Sequence, residues 1–73
     1  MKTNLVIHDD NVNTFENIIL SLMEVCNHDA LQAEQCAMLV HYRGETNVES
    51  GDFDEILNMK EMLEEKGITA SIK

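Results

Sequence analysis

Apolar residues along this chain fall into short blocks whose spacing switches between a strand period and a helix period, and each block ends in a cluster of amide, acidic or glycine residues. Leu5-Val6-Ile7 is a compact run rich in β-branched side chains and reads as a strand. Asp9, Asp10 and Asn11 interrupt it abruptly. Phe15, Ile18, Ile19, Leu22 and Cys26 then recur at helical spacing, which predicts an amphipathic helix over 14–27. Asn13 stands where a cap is expected, and Glu16 three residues on completes a capping-box-like pair.

The pattern breaks at Asn27-His28-Asp29 and restarts. Asp29 with Gln32 predicts a second capped helix, with Ala30, Ala33, Cys36, Ala37 and Val40 inward and Gly44 as its stop. Residues 45–49 read weakly as a strand around Val48, followed by a turn at Ser50-Gly51. Asp52 and Glu55 predict a third cap. Phe53, Ile56, Leu57 and Leu63 form the buried stripe of a third helix, which Gly67 closes. Ile68 to Ile72 alternates as a last strand. The order β-α-α-β-α-β predicts a single α+β domain over 1–73. We expect a two-layer sandwich, a three-stranded and mainly antiparallel sheet with helices on one face.

Charge narrows what such a domain could meet. Fourteen acidic residues against five basic ones give a net charge of −9 over 73 residues. Nucleic acid and anionic membranes, which bind through Lys and Arg, are poor partners for it. A cationic ligand or a basic surface suits it better, and a monomer is expected. Cys26 and Cys36 fall on apolar helix faces and are expected as buried thiols in a reducing cytoplasm. No run approaches membrane-spanning length. Serines lack a neighbouring base, no phosphate-cradling glycine loop is present, and the His and Asp residues lack metal-ligand spacing. Neither catalysis nor a cofactor or metal is expected.

Two polar features remain. Asp9-Asp10-Asn11 lies at the rim of an apolar domain, where Asx side chains commonly bond their own backbone in turns. His41 lies in the last turn of the second helix, bordering its apolar face. A neutral imidazole there accepts one hydrogen bond and, opposite an acidic loop, would suit a primary ammonium.

The ordered set of Leu5-Val-Ile-His-Asp-Asp-Asn11, Ala33-Glu-Gln-Cys36, Met38-Leu-Val-His-Tyr-Arg-Gly44 and Glu55 with Lys60 resembles the ClpS adaptors of Clp-type AAA+ proteases, over nearly the whole chain. The resemblance implies the same β-α-α-β-α-β fold and no enzyme activity. It implies an adaptor that binds proteins by a destabilising first residue (Leu, Phe, Tyr or Trp) and hands them to the N-terminal domain of an unfoldase. In a gap-free register the amine-binding positions are Asp9, Asp10, Asn11 and His41, with the family's Asn and second Asp exchanged. A rival register sets His8-Asp9-Asp10 on the same triplet and inserts Asn11. The side-chain pocket falls on Phe15, Ile18, Ala37, Val40 and Ile68, and the unfoldase contact on Glu55 and Lys60. The alternative is a small interaction domain akin to the C-terminal domain of the ribosomal stalk protein, docking through its acidic third helix without an amine pocket.

Overall fold

The computed structural model describes residues 2–10 and 13–73. Its elements are β1 (Thr3–His8), α1 (Phe15–Val25), α2 (Ala30–Arg43), β2 (Glu45–Gly51), α3 (Phe53–Glu65) and β3 (Ala70–Ile72), the expected order. The sheet runs β2-β1-β3, and β1 is antiparallel to both neighbours. The apolar run of the first strand is therefore the central strand, as a run buried by its neighbours should be.

Leu5 and Ile7 point to the helices and join one core with Ile18, Leu22, Ala33, Ala37, Val40, Ile56, Leu63 and Ile68. A bulge between Leu5 and Val6 shifts the pairing from Glu49 to Asn47. The residue it leaves unpaired, Val48, is buried in that core. Apart from the buried Val6, the other side of the sheet is polar. There Ser50 donates to Asn4 across the strands at 2.6 Å, and His8 shares a 2.7 Å bond with Ser71.

The helix ends follow local chemistry with some departures from expectation. Asp29 caps α2, its carboxylate accepting from the Gln32 N–H at 2.8 Å. Thr14, not Asn13, caps α1, accepting from Asn17 N–H at 3.1 Å. Asp52 occupies the cap of α3 without a side-chain cap bond. Ser50-Gly51 continues β2 instead of turning, because both residues pair with β1, at Asn4 and Thr3. Phe53, the first residue of α3, is 54% exposed, whereas Ile56 and Leu63 of the expected stripe are fully buried.

Gly67 ends α3 at φ +85, a conformation a side chain would strain. Its N–H bonds Glu64 O and the Ile68 N–H bonds Leu63 O, both at 3.0 Å, a Schellman motif. This reversal drives Ile68 into the core at 2% exposure. Ile68 thus precedes β3 rather than starting it, since its N–H is committed to the helix end and not to the ladder.

Candidate functional site

Two backbone hydrogen bonds bring the exit of β1 to the exit of α2. The Asp9 N–H donates to Gly44 O at 2.8 Å, and the Gly44 N–H donates to Val40 O at 2.9 Å. Gly44 can make this junction because it sits at φ +86. The loop's first acidic residue is thereby fixed beside the last turn of α2, the turn that carries His41. Both Asp9 and His41 are exposed. The His41 ring meets Tyr42 edge-on, with centroids 5.6 Å apart.

Asp10 does different work. Its carboxylate accepts from the Asn13 N–H at 2.9 Å, from Asn13 Nδ2 at 3.2 and 3.1 Å, and from Thr69 Oγ1 at 3.3 Å. Asn13 Nδ2 also donates to Gly67 O at 2.6 Å, while Asn13 Oδ1 accepts from Asn17. Asn13 therefore ties the loop, α1 and the α3–β3 reversal together, which is why its side chain is unavailable as the α1 cap. Bonds to a charged acceptor contribute about 1.5–3 kcal/mol each, so Asp10 is a strong clamp on the loop. Asn11 lies outside the described residues.

His8, adjacent to Asp9, turns to the polar side of the sheet, with Nδ1 3.8 Å from Glu45 as well as its bond to Ser71. Successive strand residues point to opposite sides. Lys73 donates to Glu45 at 2.7 Å, and this hydrogen bond and charge hold the Glu45 carboxyl below its ordinary range. Among the described residues no three His, Cys, Asp or Glu side chains are grouped as a metal ion would require.

The expected apolar pocket residues divide. Ile18, Ala37, Val40 and Ile68 are all within the core, none more than 6% exposed, whereas Phe15 at the start of α1 is 43% exposed. Glu55 and Lys60 are both on α3 but not paired with each other. Lys60 donates to Glu64 at 2.6 Å. The Glu55 carboxylate lies over Gly51, where an added Cβ would meet Oε2 at 3.3 Å.

Three features were not anticipated from the pattern. Asn13 is a hub, a role hinted at only by Asn17 one turn later. His28 is buried and donates from Nε2 to Val48 O at 2.8 Å, pinning the α1–α2 corner to β2. The outward side of α2 forms an open groove of about 340 Å³ lined by Gln35, Met38, Leu39 and Tyr42. The spacing of those four is legible in the sequence, but they lie opposite the stripe that defines the core.

Asp9 is thus joined to the end of the helix that bears His41, and Asp10 is held by Asn13 and Thr69. Over residues 2–71 the chain matches the family model of the ATP-dependent Clp protease adaptor protein ClpS. It belongs to the ClpS family, a family of adaptors and not of catalysts, and its role is that of a Clp protease adaptor. No curated protein matches the chain. No helix among the described residues is long and apolar enough to cross a membrane.

Proposed function

We propose that this adaptor binds the first residue of proteins that begin with Leu, Phe, Tyr or Trp and delivers them, in the cytoplasm, to a Clp-type AAA+ unfoldase. The observation that supports this reading is the Asp9–Gly44 junction, a backbone bond that joins the exit of β1, with its exposed Asp9, to the end of the helix that carries His41. The α-amino group, mostly cationic at neutral pH, donates to Asp9, to His41 and to Asn11. Asp10 contributes mainly by holding the loop and by its charge.

The first side chain enters beside Phe15, with Ile18, Ala37, Val40 and Ile68 beneath it. Each charge-assisted bond contributes about 1.5–3 kcal/mol and burial of a Leu or Phe side chain roughly as much. After the costs of association the sum corresponds to a dissociation constant on the order of 1 μM. An internal peptide segment has no ammonium, so only a first residue collects both contributions. Glu55 and Lys60 on α3 serve as the contact with the unfoldase's N-terminal domain.

The test uses one Leu-first peptide and its N-acetylated twin, titrated by calorimetry or fluorescence anisotropy. The free amine binds in the micromolar range and the acetylated form at least about 100-fold more weakly, a loss of roughly 2.7 kcal/mol. His41→Ala weakens the free-amine peptide and leaves the circular dichroism spectrum unchanged. Equal binding of the twins, or binding of neither, overturns the reading.

A further inference from the structure

The side of the sheet that faces away from the helices carries a cluster that amine binding does not use. His8 comes from β1, Glu45 from β2 and Ser71 from β3. Ser71 has no base near it along the chain, and folding supplies one from 63 residues away. The Ser71 hydroxyl and His8 Nε2 are 2.7 Å apart, within hydrogen-bond distance. The other ring nitrogen, His8 Nδ1, is 3.8 Å from Glu45 Oε1. Lys73 donates to the second carboxylate oxygen, Oε2, at 2.7 Å. This bond and its charge hold the Glu45 carboxyl below its ordinary range, so it is ionised at neutral pH.

The direction of the Ser71–His8 bond follows from Glu45. A carboxylate only accepts hydrogen bonds, so it favours the tautomer with the proton on Nδ1. Nε2 is then the lone-pair nitrogen, and the Ser71 O–H is the donor. That is the polarity a general base needs. Ser50, on the same side of the sheet, is different. Its hydroxyl donates to Asn4 Oδ1 at 2.6 Å, an amide oxygen too weakly basic to take the proton.

The cluster is also open to solvent. The His8 and Glu45 side chains are 27% and 47% exposed, and Ser71 is partly exposed. β3 lies at the edge of the sheet. Asn4 and Lys73 exchange two backbone bonds, at 2.9 and 3.0 Å, and the His8 N–H donates to Thr69 O at 2.9 Å. Bonded and non-bonded pairs alternate along an antiparallel ladder. The Ser71 N–H therefore faces β1, and the Ile72 N–H faces the outer edge, where no strand pairs with it among the described residues. The backbone N–H that follows a nucleophile is a donor suited to a developing oxyanion.

We propose that Ser71 is a nucleophile that accepts acyl groups from small activated esters, with His8 as its base and Glu45 as the residue that orients His8. Ser71 Oγ bonds to the ester carbonyl carbon while its proton passes to His8 Nε2. The bond from that carbon to the leaving oxygen then breaks, and the proton departs from His8 with the alcohol. Glu45 stabilises the imidazolium formed in between, and a contact of this kind tightens as charge develops. The step uses none of Asp9, Asp10, Asn11 and His41, so it stands independently of N-terminal residue binding.

The test treats the whole chain with p-nitrophenyl acetate at neutral pH. Acetylated positions are read by peptide mass spectrometry, because lysines and the N-terminal amine also take acetyl from this reagent. Ser71 is acetylated and Ser50 is not. His8→Gln still bonds Ser71 but is no base, and it lowers the rate at Ser71 at least about 100-fold. Glu45→Gln lowers that rate at least about tenfold. Ser50→Ala leaves it unchanged, and circular dichroism shows all three variants folded. A chain acetylated only on its amines overturns the proposal. So does acetylation of Ser50 as fast as Ser71, or a loss in His8→Gln smaller than the one stated.

Discussion

Helices α2 and α3 are similar in length and both cover the sheet, yet they treat their two sides in opposite ways. α3 buries large side chains, Ile56 and Leu63, both fully buried. α2 buries small ones, Ala33, Ala37 and Val40. Outwardly, α3 is mostly charged, with Phe53 and Met62 also exposed, and its Lys60 is paired with Glu64 one turn on. α2 exposes Leu31, Met38 and Tyr42, and its Arg43 has no ion pair among the described residues. A helix with large inner residues is held from within and can present a solvated exterior. A helix with small inner residues approaches its neighbours closely and keeps its bulky apolar residues for the outside. The comparison teaches that hydrophobic content alone does not say which side of a helix is the core side.

The sharpest way to break this contrast is to exchange the volumes. Leu63→Ala leaves a cavity beneath α3 and costs about 2–5 kcal/mol. Ala37→Leu forces a branched side chain into the close contact beneath α2 and costs about 1–3 kcal/mol. Urea unfolding followed by circular dichroism measures both. If Ala37→Leu is neutral, α2 is not closely seated and its small residues need another explanation.

These contrasts mark how far the sequence could be read. Element order and type were legible because Ile56, Leu63, Ile18 and Leu22 repeat at helical spacing and Leu5-Val6-Ile7 is short, apolar and rich in β-branched residues, which reads as a strand. Boundaries failed where a side chain had a distant partner. Asn13 looks like a cap from its neighbours, but it is drawn to Asp10 and to Gly67, 54 residues away. Ser50-Gly51 has turn composition, yet pairing with β1 holds it extended. Within the site, the acidic loop and His41 were visible as residue types. What joins the exit of β1 to the end of α2 is the Asp9–Gly44 backbone bond, which leaves no mark on residue identity. Phe53 illustrates the general difficulty, since its spacing suits the α3 stripe yet it is 54% exposed at the start of the helix.

The second contrast lies in what titrates. The core side of α3 has no ionisable residue, whereas Cys36 of α2 lies near Cys26 at the end of α1. Burial, with the charges of Glu49 and Cys36, pushes the Cys26 thiol from its ordinary 9.0 up to about 12. Burial likewise raises Cys36. The folded thiol keeps its proton after the unfolded one has lost it. Above the ordinary value the unfolded state therefore binds fewer protons, and stability falls as pH rises. Below it the contribution is fully present. Cys26 alone accounts for a loss of roughly 2–3 kcal/mol between about pH 9 and pH 11. Unfolding free energies at several pH values should show a smaller decline for Cys26→Ala than for wild type. Parallel declines would mean that the α1–α2 corner is open to solvent in the folded chain.

The smallest effect belongs to the outer sides of the two helices. Lys60 and Glu64 form an i,i+4 pair in the less favourable order, lysine first, near the C-terminal end of α3. Lys60 is about a quarter exposed and Glu64 about half, at 27% and 47% of their side-chain surface. Partial exposure limits such a pair to about 0.3–0.5 kcal/mol, so Lys60→Ala should lower stability by no more than that. Arg43→Ala on α2 should cost the isolated domain still less, because Arg43 has no ion-pair partner among the described residues. Both are compared in dilute solution and again at about 0.5 M salt, where the Debye length is only about 4 Å. Salt should erase the Lys60 effect and leave the Arg43 value unchanged. A salt-sensitive stability loss for Arg43→Ala in dilute solution would show that α2 balances its charges within the chain after all, and the difference between the two helices would then lie in their apolar residues alone.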